Sequence, residues 1–137
     1  MIILPEKEAL TPHEAKQKSP VELAFIGDAV YEVMVREHIR LTHDAPAGKL
    51  HNICIGYVRA EAQHEALEKI SGLLSEEEAE IARRGRNANK VTSSKHADPS
   101  DYRAATGLEA LFGFLYLTGR TDRIRELFTA IISEDDV

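Results

Sequence analysis

Cysteine is almost absent from this sequence, and tryptophan is missing altogether. Cys54 has no second cysteine to pair with, so an internal disulfide is excluded and a reducing cytoplasm is the expected compartment. Long apolar runs are also missing. The opening Met1-Ile2-Ile3-Leu4-Pro5 is too short and too uncharged to serve as a secretory leader. The most apolar later stretch, Leu108 to Leu117, carries Glu109 and is too short to cross a bilayer. A soluble protein with no membrane partner is therefore expected. Strand-like alternation is nearly absent, and no repeat, low-complexity tract or linker divides the chain.

What is present suits one domain spanning residues 1–137. The 137 residues are 43% apolar, enough for a core without disulfides. Net charge is −6, which at first sight argues against a polyanionic partner. The charge is unevenly spread, however. Between Ile81 and Arg103, six basic residues (Arg83, Arg84, Arg86, Lys90, Lys95 and Arg103) face only Asp98 and Asp101. Phosphate contacts are local, so such an island matters more than the net charge. Charge pattern alone leaves chance segregation open.

Helical periodicity predicts an all-α fold. Two segments, Thr11-Pro12-His13-Glu14 and Ser19-Pro20-Val21-Glu22, each place a hydroxyl residue before proline and a glutamate three residues on, the pattern of a capped helix start. The second helix should run to about Leu41 and bury Leu23, Ile26, Val30 and Val33. A third should extend from Pro46 to about Ile70, with Leu50, Ile53, Tyr57, Ala60, His64 and Leu67 on one face. Ser75 caps a fourth, whose Glu76 to Glu80 read as a solvated start and whose end lies in the basic cluster around Gly85. A polar loop should follow from Asn87 to Pro99, then a helix from about Ser100 to Leu117, stopped by Gly119. The last should span about Thr121 to Ile132.

Two carboxylates stand out within apolar helices. Asp28 follows Gly27 between Ile26 and Ala29-Val30, and Glu109 sits between Leu108 and Ala110-Leu111, with Gly113 one turn later. A glycine inside a helix costs about 1 kcal/mol relative to alanine, so its presence points to close packing or close approach. Two such helices brought together would offer paired oxygen ligands for Mg²⁺, a hard cation that activates water against a phosphodiester. Spacing alone does not separate this from two solvent-facing acids. In the basic island, Arg83, Arg84 and Arg86 suit forked phosphate contacts, Lys90 and Lys95 add point charges, and Asn87 suits phosphate or 2′-hydroxyl contacts. Tyr102 is the one aromatic residue near it, which argues against the stacking platforms that grip single strands. His51 and Cys54 have a ligand-like spacing but lack a second pair, and Gly85 does not begin a phosphate-binding loop.

The segment Leu23 to Glu32, LAFIGDAVYE, resembles the signature helix of the ribonuclease III family, and Tyr102 to Gly113, YRAATGLEALFG, resembles its second acidic helix. Arg83 to Ala88, RRGRNA, together with the short length, narrows the resemblance to the Mini-ribonuclease III branch, which lacks a separate RNA-binding domain. The resemblance implies an all-α endonuclease that cuts double-stranded RNA as a homodimer, with Asp28 and Glu109 as catalytic and metal-binding residues. It implies Mg²⁺, with Mn²⁺ as a substitute, and 5′-phosphate products. It places Phe25 at the dimer interface and implies a role in maturing the ends of 23S ribosomal RNA from its precursor. Fuller members of the family carry acids at positions where this chain has Val21, Ala24 and Thr106. With fewer acids, the metal should keep more waters and bind more weakly. Glu22 reads first as the capping-box residue, and Glu32 as an outer neighbour of the metal site. The alternative from another class is a catalytically silent ribosomal-RNA-binding module on the same fold.

Overall fold

The computed structural model describes residues 8–88 and 98–133. Among these the chain forms seven α-helices and no strand: α1 (Pro12–Lys16), α2 (Pro20–Thr42), α3 (Ala47–Val58), α4 (Ala60–Ile70), α5 (Glu76–Asn87), α6 (Pro99–Leu117) and α7 (Thr121–Ile132), with a 3-10 turn at Ser71–Leu73. The all-α expectation is met, and most ends fall where local chemistry puts them. Capping boxes open three helices, with Thr11, Ser19 and Ser75 each accepting from the backbone of a glutamate three residues on and receiving its side chain in return. Glu22 is thus the capping residue of α2. Gly119 adopts φ 74°, a left-handed conformation that closes α6 at low cost only for glycine.

The axis of the fold is α6, which packs against α2, α4 and α5. From Ala104 to Leu115 every residue is buried except Glu109, which is half-buried. Such a helix has no solvent face to signal its orientation, consistent with its near-continuous apolar sequence. Small residues let its neighbours approach. A Cβ on Gly85 of α5 would stand 2.8 Å from the Gly107 Cα and 2.9 Å from the Ala110 Cβ, so α5 and α6 meet nearly backbone to backbone. Tyr31 of α2 joins the layers by edge-on contacts with Phe112 of α6, at 5.3 Å between ring centroids, and with Phe128 of α7, at 5.8 Å.

Three expectations are corrected. The segment between Pro46 and Ile70 is two helices, because Arg59 leaves the helical region at ψ 155° and separates α3 from α4. The buried face of α2 is Leu23, Ala24, Gly27, Tyr31, Val35 and Ile39 rather than the stripe ending at Val33, which is 63% exposed. The start of α5 is not merely solvated. Glu78 is buried, and Arg123 of α7 donates to both of its carboxylate oxygens at 2.8 Å. Burial opposes ionisation of Glu78, yet the bonds from Arg123 and Ser75 outweigh it and hold its pKa below the usual value. Glu77 meanwhile binds Lys16 at 2.8 Å and Arg120 at 2.7 Å, tying α1 and the start of α7 to α5.

Candidate active site

The glycines that interrupt α2 and α6 are where these helices meet. A Cβ on Gly27 would overlap the carbonyl oxygen of Glu109, and one on Gly113 would overlap the carbonyl oxygen of Leu23. The close approach expected from the cost of helical glycine is therefore met twice, once on each helix. Its consequence is chemical, since Asp28 follows Gly27 in sequence and the Glu109 backbone is the surface Gly27 touches.

Asp28 lies close enough to Glu109 for its charge to act on that carboxyl group. Asp28 lies on the exposed side and Glu109 on the inner side. The pKa of Glu109 is pushed up to about 8, first by burial and then by the charge of Asp28, while a hydrogen bond from Gln63 works in the opposite direction. Glu109, set beside a second carboxyl group in a largely buried place, keeps its proton near neutral pH. A divalent cation is the other way to neutralise such a pair, and its binding would release that proton. The donors are all oxygen and one side of the pair is open to water, which fits a hard cation that retains part of its hydration. Among the described residues no cluster of three or more His, Cys, Asp or Glu side chains forms a metal site. Thr106, at a position where fuller members of the family carry an acid, donates its hydroxyl to the Tyr102 carbonyl at 3.0 Å.

Sequence reasoning missed Gln63. It is 2% exposed, its Nε2 donates to the Val58 carbonyl at 2.8 Å, and its amide lowers the pKa of Glu109. A glutamine in a charged helix reads as a solvated residue, and only the packing of α4 on α6 reveals otherwise. Glu32, read from the sequence as an outer neighbour of the metal site, binds Arg36 one turn along α2 at 3.1 Å. His64 is half-buried, as expected of a packing residue, and hydrogen-bonds Asp101 at 2.7 Å.

Arg83, Arg84, Arg86 and Asn87 occupy the last turns of α5. With Gly85 facing α6 and 100° of rotation per residue, Arg84 and Arg86 leave the helix on opposite flanks of that inner face, while Arg83 and Asn87 lie on the outer side. The side chain of Arg83 is already held by Glu80, with bonds of 3.0 and 2.6 Å. Arg86 runs its stem along α6, where a Cβ on Gly107 would meet its Cγ at 3.2 Å. Lys90 and Lys95 lie outside the described residues, as does most of the expected polar loop.

Phe25 is 79% exposed on α2. Val21, Phe25, Ala29, Val33 and Leu41 form an exposed apolar band along the helix, broken at Glu37. Beside Phe25 lies an open recess of about 470 Å³ lined by Lys18, Val21, Glu22, Leu23, Ile26 and Leu117. No helix among the described residues is long and apolar enough to cross a membrane.

Residues 21–120 match the family described as the ribonuclease III domain, a span that takes in α2, α6 and both carboxylates. The chain is 44% identical to a Mini-ribonuclease 3 from Thermoanaerobacter sp., covering 98% of this chain and 96% of that one. It is 41% identical to a Mini-ribonuclease 3 from Clostridium tetani, covering 92% and 84% respectively. A crystal structure of a Fusobacterium nucleatum protein superposes with a TM-score of 0.77 at 30% identity, over 85% of this chain and 89% of that one. The chain belongs to the ribonuclease III family, in its Mini-ribonuclease 3 branch, and is an endoribonuclease.

Proposed function

We propose that this endoribonuclease cleaves double-stranded RNA with Mg²⁺, or Mn²⁺ in its place, held between Asp28 and Glu109. The observation that carries the reading is the Asp28–Glu109 contact, in which the two helices set their carboxyl groups against each other at the cost of a strongly raised pKa. Protein folds seldom keep such a pair without a use for it. When bound, the cation polarises the phosphodiester and lowers the pKa of a coordinated water. Asp28 supplies oxygen ligands from the exposed side and Glu109 from the inner side. The buried surroundings of Glu109 keep bulk water from competing for its carboxylate. Arg84, Arg86 and Asn87 hold the RNA backbone beside the site, joined by Arg83, Lys90 and Lys95. Products carry a 5′-phosphate, and the substrate is precursor 23S ribosomal RNA in the cytoplasm, a reading that rests on family resemblance.

The working unit is a homodimer of this single catalytic domain, residues 1–137, built on α2. One carboxylate pair cuts one strand, and a two-fold axis relating two pairs matches the approximate symmetry of the RNA duplex. An isologous interface needs a surface complementary to itself, and the exposed Phe25 beside its own recess offers that. Family membership and the retained carboxylate pair both favour the enzyme over the silent binding module. Purified protein, an end-labelled RNA duplex and Mg²⁺ provide the test. Metal-dependent cuts on both strands, stopped by a chelator, are expected, and cleavage that persists in the chelator would reject the metal mechanism.

A further inference from the structure

We propose that Gln63 is a positioning residue for cleavage, one that holds the Glu109 carboxylate towards Asp28 and offers its free amide oxygen to the water shell of the cation. The inference rests on the reading of Asp28 and Glu109 as metal ligands. Gln63 sits in the first turns of α4, just past the break at Arg59 that separates it from α3. Its Nε2 donates back across that break to the Val58 carbonyl at 2.8 Å. This bond fixes which way the amide faces, because turning it over would set two oxygens against each other. The same side chain lies close enough to Glu109 to lower its pKa, so the break between α3 and α4 adjoins the site.

The remaining amide atom is the telling one. Oε1 of Gln63 is buried and has no hydrogen-bond partner. An unpaired amide oxygen at a 2% exposed position lowers stability, and an apolar side chain would fill the same space without that loss. Buried polar atoms left unpaired are few in folded proteins, and each calls for an explanation such as an ordered water or an ion. Here the atom belongs to a side chain that already acts on one carboxylate of the candidate metal pair. A hydrated cation between Asp28 and Glu109 would bring water molecules, which are donors, and the Gln63 oxygen is an acceptor without a donor. Partners of this kind orient a metal's ligands, and removing them weakens metal binding by roughly 10- to 100-fold.

The test compares Gln63→Met with the unsubstituted protein and with Asp28→Asn. Methionine is close to glutamine in length and shape but can make neither bond. Two readouts need no catalysis: the rise in melting temperature on adding Mg²⁺, and Mn²⁺ binding followed by electron paramagnetic resonance. Expected for Gln63→Met are metal binding weakened about tenfold or more, a matching rise in the Mg²⁺ needed for half-maximal cleavage, and an unchanged KM for RNA at saturating metal. A folded Gln63→Met protein with unaltered metal binding would overturn the proposal. If Asp28→Asn lowers metal binding while Gln63→Met does not, Gln63 alone loses its role. If neither substitution matters, the metal site itself has been misplaced and the proposal falls with it. Should Gln63→Met not fold, nuclear magnetic resonance of the unsubstituted protein decides. The Gln63 side-chain amide signals should shift with Mg²⁺ and broaden with Mn²⁺, and signals indifferent to both ions would reject the proposal.

Discussion

Gly27 and the Glu109 backbone touch so closely that a Cβ on the glycine would overlap the Glu109 carbonyl oxygen and stand 2.7 Å from the Gly113 nitrogen. This contact sets the separation of α2 and α6, and with it the separation of the carboxylates that each helix carries.

Gly27→Ala should therefore do more harm than an ordinary helix substitution. Alanine is the better helix former, but the added methyl meets backbone, which cannot turn aside as a side chain can. A loss of about 3 kcal/mol or more is expected in denaturant melts, together with loss of cleavage. Gly56→Ala in α3 is the control, since nothing lies within 4 Å of the added carbon. It should stabilise by up to about 1 kcal/mol through helix propensity.

The raised pKa of Glu109 makes a prediction about pH in the metal-free protein. Its folded-state value is about 8 against an ordinary 4.5. The folded state thus holds this proton more tightly than the unfolded chain does. The resulting stability is fully present below about pH 4.5 and is lost as pH rises through about 8. Glu109→Gln cannot ionise, so in the presence of a chelator it should gain melting temperature over the unsubstituted protein between pH 6 and pH 9. Mg²⁺ should narrow that gap by stabilising only the unsubstituted protein. Equal melting curves for the two proteins at pH 9 would contradict the assigned environment.

RNA affinity should depend on α5 unevenly. Arg83 is already engaged by Glu80, whereas Arg84 and Arg86 leave the helix on either flank of its contact with α6. Replacing all three with alanine should lower the slope of log affinity against log salt by about two. Arg83→Ala alone should change it least. An unchanged slope in the triple variant would place the RNA elsewhere.

Phe25→Ala separates dimer from fold. The side chain is 79% exposed in one protomer, so its loss should scarcely affect the stability of a monomer. If it fills the partner's recess, its removal should shift the protein towards monomer and reduce cleavage in parallel. Light scattering across a dilution series, alongside activity at the same concentrations, checks both.

Much of this was legible in the chain because its signals are local. The pairs Thr11–Glu14, Ser19–Glu22 and Ser75–Glu78 each settle a helix start within four residues. Gly27 and Gly113 betrayed a close approach because a helix gives up stability to hold them. The break at Arg59 was missed because Tyr57, Ala60 and His64 carry one face of the helical pattern across it, although Ile55-Gly56-Tyr57-Val58 before it are weak helix formers. The buried face of α2 was misjudged because the helix is apolar on two faces, and periodicity cannot tell a core from an exposed band. Gln63 and the Glu78–Arg123 pair were invisible for a different reason. Their partners lie on other helices, and a polar residue's burial is decided only by what packs over it.

The account stands most directly on the Asp28–Glu109 pair as the site of metal-dependent cleavage. The measurement is strand scission of a labelled RNA duplex across a Mg²⁺ titration by the unsubstituted protein and by Asp28→Asn, at a protein concentration where both bind the duplex. Near-isosteric asparagine should leave the fold and RNA binding intact while lowering the cleavage rate by at least about three orders of magnitude at every Mg²⁺ concentration. Cleavage by folded Asp28→Asn protein at a rate near that of the unsubstituted enzyme would contradict the account.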